Sequence, residues 1–209
     1  MRPHPIVPPI AVPSLVGAAL AYAVHGWPVF LLLPPDRTPP TVGRSIQHGG
    51  ATRDPARIRA MVDRYPAGLL AIQTGAASGL AAIEVDPDGG GRRSLAALDA
   101  DGLLPGTLMA DTGSGKLHLI YAHPGVPIRS GTRLLGPGIG VQADGGYIVV
   151  SPSRHPRTGG LYRWHGGSPF THPPAALHPR LAARLAKTPP HRRHLTLAPD
   201  PAVSERHTR

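Results

Sequence analysis

The sequence predicts an α+β fold built on a largely antiparallel sheet. Short apolar runs of strand length recur between Gly-, Pro- and Asp-rich breaks. Gly-rich turns such as Gly113-Ser114-Gly115-Lys116 and Asp144-Gly145-Gly146 join runs close enough to pair as hairpins. Helix signals are few: two precede most of the strands, one falls between them and one closes the chain.

Taken in order, residues 1–13 form a Pro-rich arm, expected to be disordered or polyproline-like. Ser14 is placed to cap a helix over about 15–25. Gly26-Trp27-Pro28 then breaks the apolar run, and 29–33 reads as a buried strand, with Trp27 in the core. Residues 34–50 are a Pro-, Gly- and Arg-containing loop. Asp54-Pro55 pairs a cap with a proline at the first helical position, and Ile58, Met61 and Val62 keep helical spacing toward Arg64. Strands are expected at 69–73 and 80–86, joined by Thr74–Gly79. Ser94 is expected to cap a short helix through Asp99. Segments 107–111 and 117–122 read as one hairpin, and 139–143 and 147–150 as another. Leu177, Leu181 and Leu185, four residues apart, mark a final amphipathic helix, and 188–209 is a basic tail expected to be disordered. The domain itself is drawn over 14–187.

Composition narrows the function classes. A net charge of +10 favours a polyanionic partner, although a basic solvated surface would give the same number. Cysteine is absent, so thiolate zinc sites and disulfides are excluded and a cytoplasmic location is expected. The apolar stretch 15–33 raises a signal peptide or membrane span, but its internal Gly-Trp-Pro break and few preceding basic residues favour a helix and a strand. Glu occurs only at positions 84 and 205, so a close pair of carboxylates is informative.

That pair is Glu84 and Asp86, in GLAAIEVDPDGG. Period-two geometry puts them on one face with Leu80 and Ala82. Such a pair either holds a hard divalent cation, Mg2+ or Mn2+, or faces water at a strand end. In Asp111-Thr112-Gly113-Ser114-Gly115-Lys116-Leu117-His118, glycine backbone, Ser114 and Lys116 could meet phosphate, with His118 on the following strand. The spacing is not that of a Walker A loop, and a plain hairpin turn explains it equally. Gly136–Tyr147 and Ser151-Pro152-Ser153-Arg154-His155 read as a hairpin and a loop that could meet phosphate or DNA.

In this order, these segments resemble the bifunctional DNA primase/polymerase N-terminal domain family, a branch of the archaeo-eukaryotic primase superfamily. The resemblance runs from about Ala18 to Leu185. It is carried by AYAVHGWPVFLLLP, GGATRDPARI, LAIQTGAASGLAAIEVDPDGGGRRSLAAL, TGSGKLH, GPGIGVQADGGYIVVSPSRH and LYRW. It implies an RRM-like catalytic sheet with an additional N-terminal α/β subdomain. It also implies metal-dependent nucleotidyl transfer to a primer in DNA replication, with Mg2+ or Mn2+, nucleoside triphosphates, and single-stranded or primed DNA. A helicase partner is implied by the family alone, and no membrane partner is expected.

On matching positions, the resemblance makes Glu84 and Asp86 metal-binding and catalytic. His118 becomes the nucleotide-binding histidine, with Ser114, Gly115 and Lys116 on the phosphate side. The chain departs from the family pattern at four places: Glu84 stands for Asp, Lys116 for a second glycine, Gly140 for the third metal-binding Asp, and Gln142 for a basic residue. Asp144 follows Gly140 by four residues, in an expected turn. An enzyme impaired by Gly140 is therefore expected, beside two alternatives: a non-catalytic nucleotide- or single-stranded-DNA-binding relative, and an exported basic binding protein.

Overall fold

The computed structural model describes residues 13–32, 50–166 and 168–186. Residues 1–12 of the expected 1–13 arm, most of the loop over 34–50 and the tail from 188 lie outside the described residues.

The fold is α+β, and among the described residues every pairing between its nine strands is antiparallel. Helix α1 (Leu15–Val24) begins at Ser14, whose side chain accepts from Gly17 N. Strand β1 (Val29–Leu32) follows. Helix α2 (Pro55–Arg64) starts where the Asp-Pro signal placed it, with Asp54 accepting from Ala56 N and Arg57 N. After β2 (Leu69–Gln73) and β3 (Leu80–Val85) comes a tight turn, Pro87–Gly91, that leads into α3 (Arg92–Ala100). Strands β4 (Leu108–Asp111), β5 (Leu117–Ala122), β6 (Gly131–Gly136), β7 (Ile139–Gln142), β8 (Tyr147–Val149) and β9 (Arg163–Trp164) precede a closing helix, α4 (Pro179–Leu185).

The strands form two sheets. The larger runs β6-β7-β3-β5-β4-β9 and the smaller β1-β2-β8. Side-chain alternation along β3 and β5 explains how they stack. Leu80, Ala82 and Ile120 turn toward the small sheet and α1, where they pack with Ile72, Ile148 and Tyr22. Ala81, Ile83, Leu119 and Tyr121 turn the other way, onto Leu98 of α3 and Leu181 and Leu185 of α4. The large sheet is thus covered on both faces.

Four expectations are corrected, and one strand is added. Segments 139–143 and 147–150 are not a hairpin. Strand β7 joins β3 in the large sheet, whereas β8 joins β2 in the small one, with Tyr147 opposite Gln73. The Asp144-Gly145-Gly146 turn therefore carries the chain between sheets. The small sheet, begun by β1 and β2, is accordingly completed by a strand from late in the sequence. Strand β3 stops at Val85 because Asp86 caps the next turn. Ser94 lies inside α3 rather than at its start, and its hydroxyl donates to Pro137 O. Leu177 is buried but precedes the last helix, which His178 caps. Strand β6 was not anticipated, since Gly131-Thr132-Arg133-Leu134-Leu135-Gly136 shows little alternation.

Trp27 is buried as expected, and so is Trp164, whose indole N–H donates to Tyr22 Oη at 2.7 Å. Neither ring is an exposed stacking platform for a base. Helix α1 has ten residues, and among the described residues no helix is long and apolar enough to cross a membrane.

Candidate functional site

Strand β3 brings the carboxylate pair to the edge of the core. Glu84 follows Leu80 and Ala82 on the face turned toward the small sheet, but its position is only partly covered. The antiparallel register puts His118 of β5 opposite Glu84 on one side and Gly140 of β7 opposite it on the other. These three lie in one row across the sheet. The same row continues through Ala110 to Trp164, so it passes from apolar core to polar edge.

Asp86 lies one residue beyond the strand. Its Oδ1 accepts from Asp88 N at 3.2 Å and Gly89 N at 3.1 Å, which caps the turn behind Pro87. Gly90 completes that turn at φ +92°, a conformation costly for residues with a Cβ. The strand end is also tied to the β6–β7 turn, because Asp86 N donates to Gly138 O at 2.8 Å.

The hairpin between β4 and β5 supplies the cation. Thr112 N donates to Lys116 O, and Lys116 N donates to Thr112 Oγ1, so Lys116 leaves the turn in a set direction. Since Val85 pairs with Leu117, Lys116 stands one step further along, beside Asp86. Its Nζ lies 2.9 Å from Glu84 Oε1 and 3.5 Å from Asp86 Oδ2. Ser114 and Gly115 are exposed at the turn, with Ser114 Oγ 3.0 Å from Thr112 Oγ1.

His118 is buried, and its Nε2 faces Glu84 Oε2 at 3.4 Å. Its Nδ1 is buried without a hydrogen-bond partner among the described residues. In the Nε2–H tautomer the ring donates to Glu84, so its one paired nitrogen orients that carboxylate. This hydrogen bond, opposed by burial and reinforced by Lys116, lowers the Glu84 pKa from 4.5 to about 2. The hydrogen bond that Lys116 donates to Glu84 raises the Lys116 pKa, although burial opposes it. Both groups are held ionised at neutral pH. Glu84 also acts at longer range: burial, then the Glu84 charge, raises the Tyr147 and Tyr162 phenols.

Six predicted site residues, Glu84, Asp86, Ser114, Gly115, Lys116 and His118, thus come together around one strand end and one hairpin. Among the described residues, no group of three or more His, Asp or Glu side chains is arranged to hold a metal ion. Asp144 stays apart from the site. Its Oδ2 accepts from Ile128 N at 2.8 Å and lies 3.2 Å from His123 Nε2, while Oδ1 accepts from Ala76 N at 3.1 Å. Asp144 is a loop clamp and does not stand in for a carboxylate at position 140. The Asp144–His123 pair has no signal in the sequence, because only folding joins those loops.

The Ser151–His155 segment is also structural where its atoms are engaged. Ser153 Oγ accepts from Leu70 N at 2.8 Å, inside the core. Arg154 and His155 belong to a loop that closes against the Gly113 backbone through Thr158 Oγ1. A cavity of about 580 Å³ opens elsewhere, between α1 and β9, lined by Ala18, Tyr22, Trp164 and Phe170 among others. None of the six predicted site residues lines it.

The family model described as bifunctional DNA primase/polymerase, N-terminal, matches residues 19–180. No curated protein matches the chain significantly.

Proposed function

The chain belongs to the bifunctional DNA primase/polymerase N-terminal family, and from that premise we propose that it binds nucleoside triphosphate and single-stranded or primed DNA in replication, with nucleotidyl transfer impaired. The observation that carries this reading is the row His118–Glu84–Gly140. Where the family pattern has a third carboxylate beside the first, this chain has only backbone.

The Mg2+ or Mn2+ that the family implies meets donors that do not fit a two-metal centre. Two carboxylates are present, and one of them already serves as a backbone cap. Two-metal phosphoryl transfer needs carboxylates enough to neutralise both ions and aim both oxygens of the displacement. This donor set does not support that chemistry.

The remaining groups suit phosphate binding. Lys116 is partly exposed and carries three N–H donors, of which two face Glu84 and Asp86. The third is left for a phosphate oxygen, and the exposed Ser114 on the same hairpin supplies a further hydroxyl. His118 holds Glu84 in place and so keeps Lys116 anchored. The chain's +10 charge favours approach of the polyanion and makes DNA affinity strongly dependent on salt.

Primer extension with labelled dNTPs and Mn2+ tests the reading, alongside a nucleotide-binding titration. Wild type should bind nucleotide and incorporate little or none, and Gly140→Asp should raise incorporation. A second reading, a working polymerase, is favoured by Glu84 and Asp86 both lying within 3.5 Å of one cation position. Efficient wild-type extension that Glu84→Ala abolishes would establish that second reading instead.

A further inference from the structure

The position of Lys116 Nζ deepens the functional reading just given, and rests on it for the identity of the ligand. We propose that Lys116 is a tethered counter-ion that occupies the cation position between Glu84 and Asp86, so that the site works without a divalent metal.

The geometry is that of an occupied cation position. One ammonium sits 2.9 Å from a Glu84 oxygen and 3.5 Å from an Asp86 oxygen. A Mg2+ ion bound by the same oxygens would stand about 2.1 Å from them. It would then share the space of the ammonium and repel it. The lysine is also anchored at its base, because its backbone N–H donates to Thr112 Oγ1 at 2.9 Å and its carbonyl accepts from Thr112 N at 2.8 Å. The side chain therefore reaches the carboxylates from a fixed point one strand away.

Two differences in the sequence act together in this arrangement. A residue at 116 without a side chain would leave two adjacent carboxylates with no nearby ammonium. A carboxylate at 140 would add a third negative charge, since a Cβ there would lie 3.9 Å from the Glu84 Cβ. One lysine beside three carboxylates would leave two negative charges unbalanced, whereas beside Glu84 and Asp86 it leaves one. Lys116 and Gly140 are therefore mutually consistent: the third carboxylate is absent where the second positive charge of a metal ion is absent.

The test is Mn2+ titration followed by electron paramagnetic resonance, on wild type, Lys116→Ala, Lys116→Gln, Lys116→Ala with Gly140→Asp, and Lys116→Ala with Glu84→Gln. Circular dichroism checks that each variant is folded, and Lys116→Gln keeps side-chain bulk should the alanine variant fold poorly. Wild type should show no Glu84-dependent Mn2+ site. Either Lys116 variant should gain one, Glu84→Gln should remove it, and adding Gly140→Asp should tighten it by roughly ten-fold or more through added ligand charge. The side chain introduced by Gly140→Asp has room if the Gly131 carbonyl, 3.3 Å from the added Cβ, gives slightly.

Binding of a fluorescent dNTP analogue is measured in parallel, with EDTA and with Mg2+. EDTA-insensitive wild-type binding is expected. A wild type that binds Mn2+ through Glu84 as tightly as Lys116→Ala overturns the proposal, as does a wild type that binds nucleotide only with Mg2+. No gain of Mn2+ in either folded lysine variant overturns it too. If wild type binds no nucleotide while Lys116→Ala still gains Mn2+, the lysine assignment stands and the nucleotide reading fails.

Discussion

Replacing Glu84 by Gln probes the electrostatics of the site through stability. The Glu84 carboxyl falls from 4.5 to about 2, first through its hydrogen bond to His118 and then, against burial, through Lys116. Because the folded-state pKa is depressed, the stabilisation is fully present above the unfolded value. It is lost as pH falls from about 4.5 toward about 2. Each tenfold change in proton affinity is about 1.4 kcal/mol, so the shift corresponds to at most about 3–4 kcal/mol. Glu84 is 26% exposed and Lys116 34%, so water screens part of this. A contribution of about 1–2 kcal/mol remains after that discount. Urea denaturation of wild type and Glu84→Gln across this pH range measures it. At about pH 7 the variant should be less stable by that amount, and the gap should close toward pH 2. The difference between the two proteins cancels other carboxylates that are distant from Glu84. A gap that is constant with pH, or a variant more stable than wild type at neutral pH, would refute the ion-pair account.

Three further outcomes follow from the fold. Ser153→Ala should cost about 1–3 kcal/mol in chemical denaturation, because it leaves the Leu70 N–H unpartnered inside the core. Gly113→Ala should destabilise by about 1–3 kcal/mol or more, since its Cβ would overlap the Gly160 carbonyl and the His155 side chain; a neutral thermal melt would contradict that packing. Burial raises the Asp144 carboxyl, but the N–H groups of Ile128 and Ala76, and then His123, outweigh it and lower the pKa. Asp144→Ala should therefore loosen the loops at 76 and 128, read as faster amide exchange at both positions, and should leave any Mn2+ site opened by Lys116→Ala unchanged.

Much of the local structure was legible because it rests on neighbouring residues. Ser14 and Asp54-Pro55 cap their helices with side chains two or three residues from the N–H groups they accept from. Strands β2 and β5 were read with correct ends, as their apolar runs are bounded by loop residues. Where a distant partner decided the outcome, local reading failed. The Asp-Gly-Gly turn suggested a hairpin, but Gln73 and Ala71 claim β8 for the other sheet. Ser94 looked like a cap, but a carbonyl at Pro137 holds its hydroxyl and the helix begins earlier. Strand β6 has few local signals and exists because β7 pairs with it.

For the site, the sequence by itself determined the residue types, the glycine at 140 and the shared face of Glu84 and Asp86, since strand alternation is a local property. It also carried the family, through motifs in order along most of the chain. Only the tertiary structure decided what Lys116 does. As part of a Gly-rich turn it read equally as a phosphate contact. The register of β3 against β5, set by burial on both faces of the sheet, brings its ammonium to the two carboxylates across a separation of about thirty residues. A pairing between distant segments is a consequence of packing, and no local pattern along the chain encodes it.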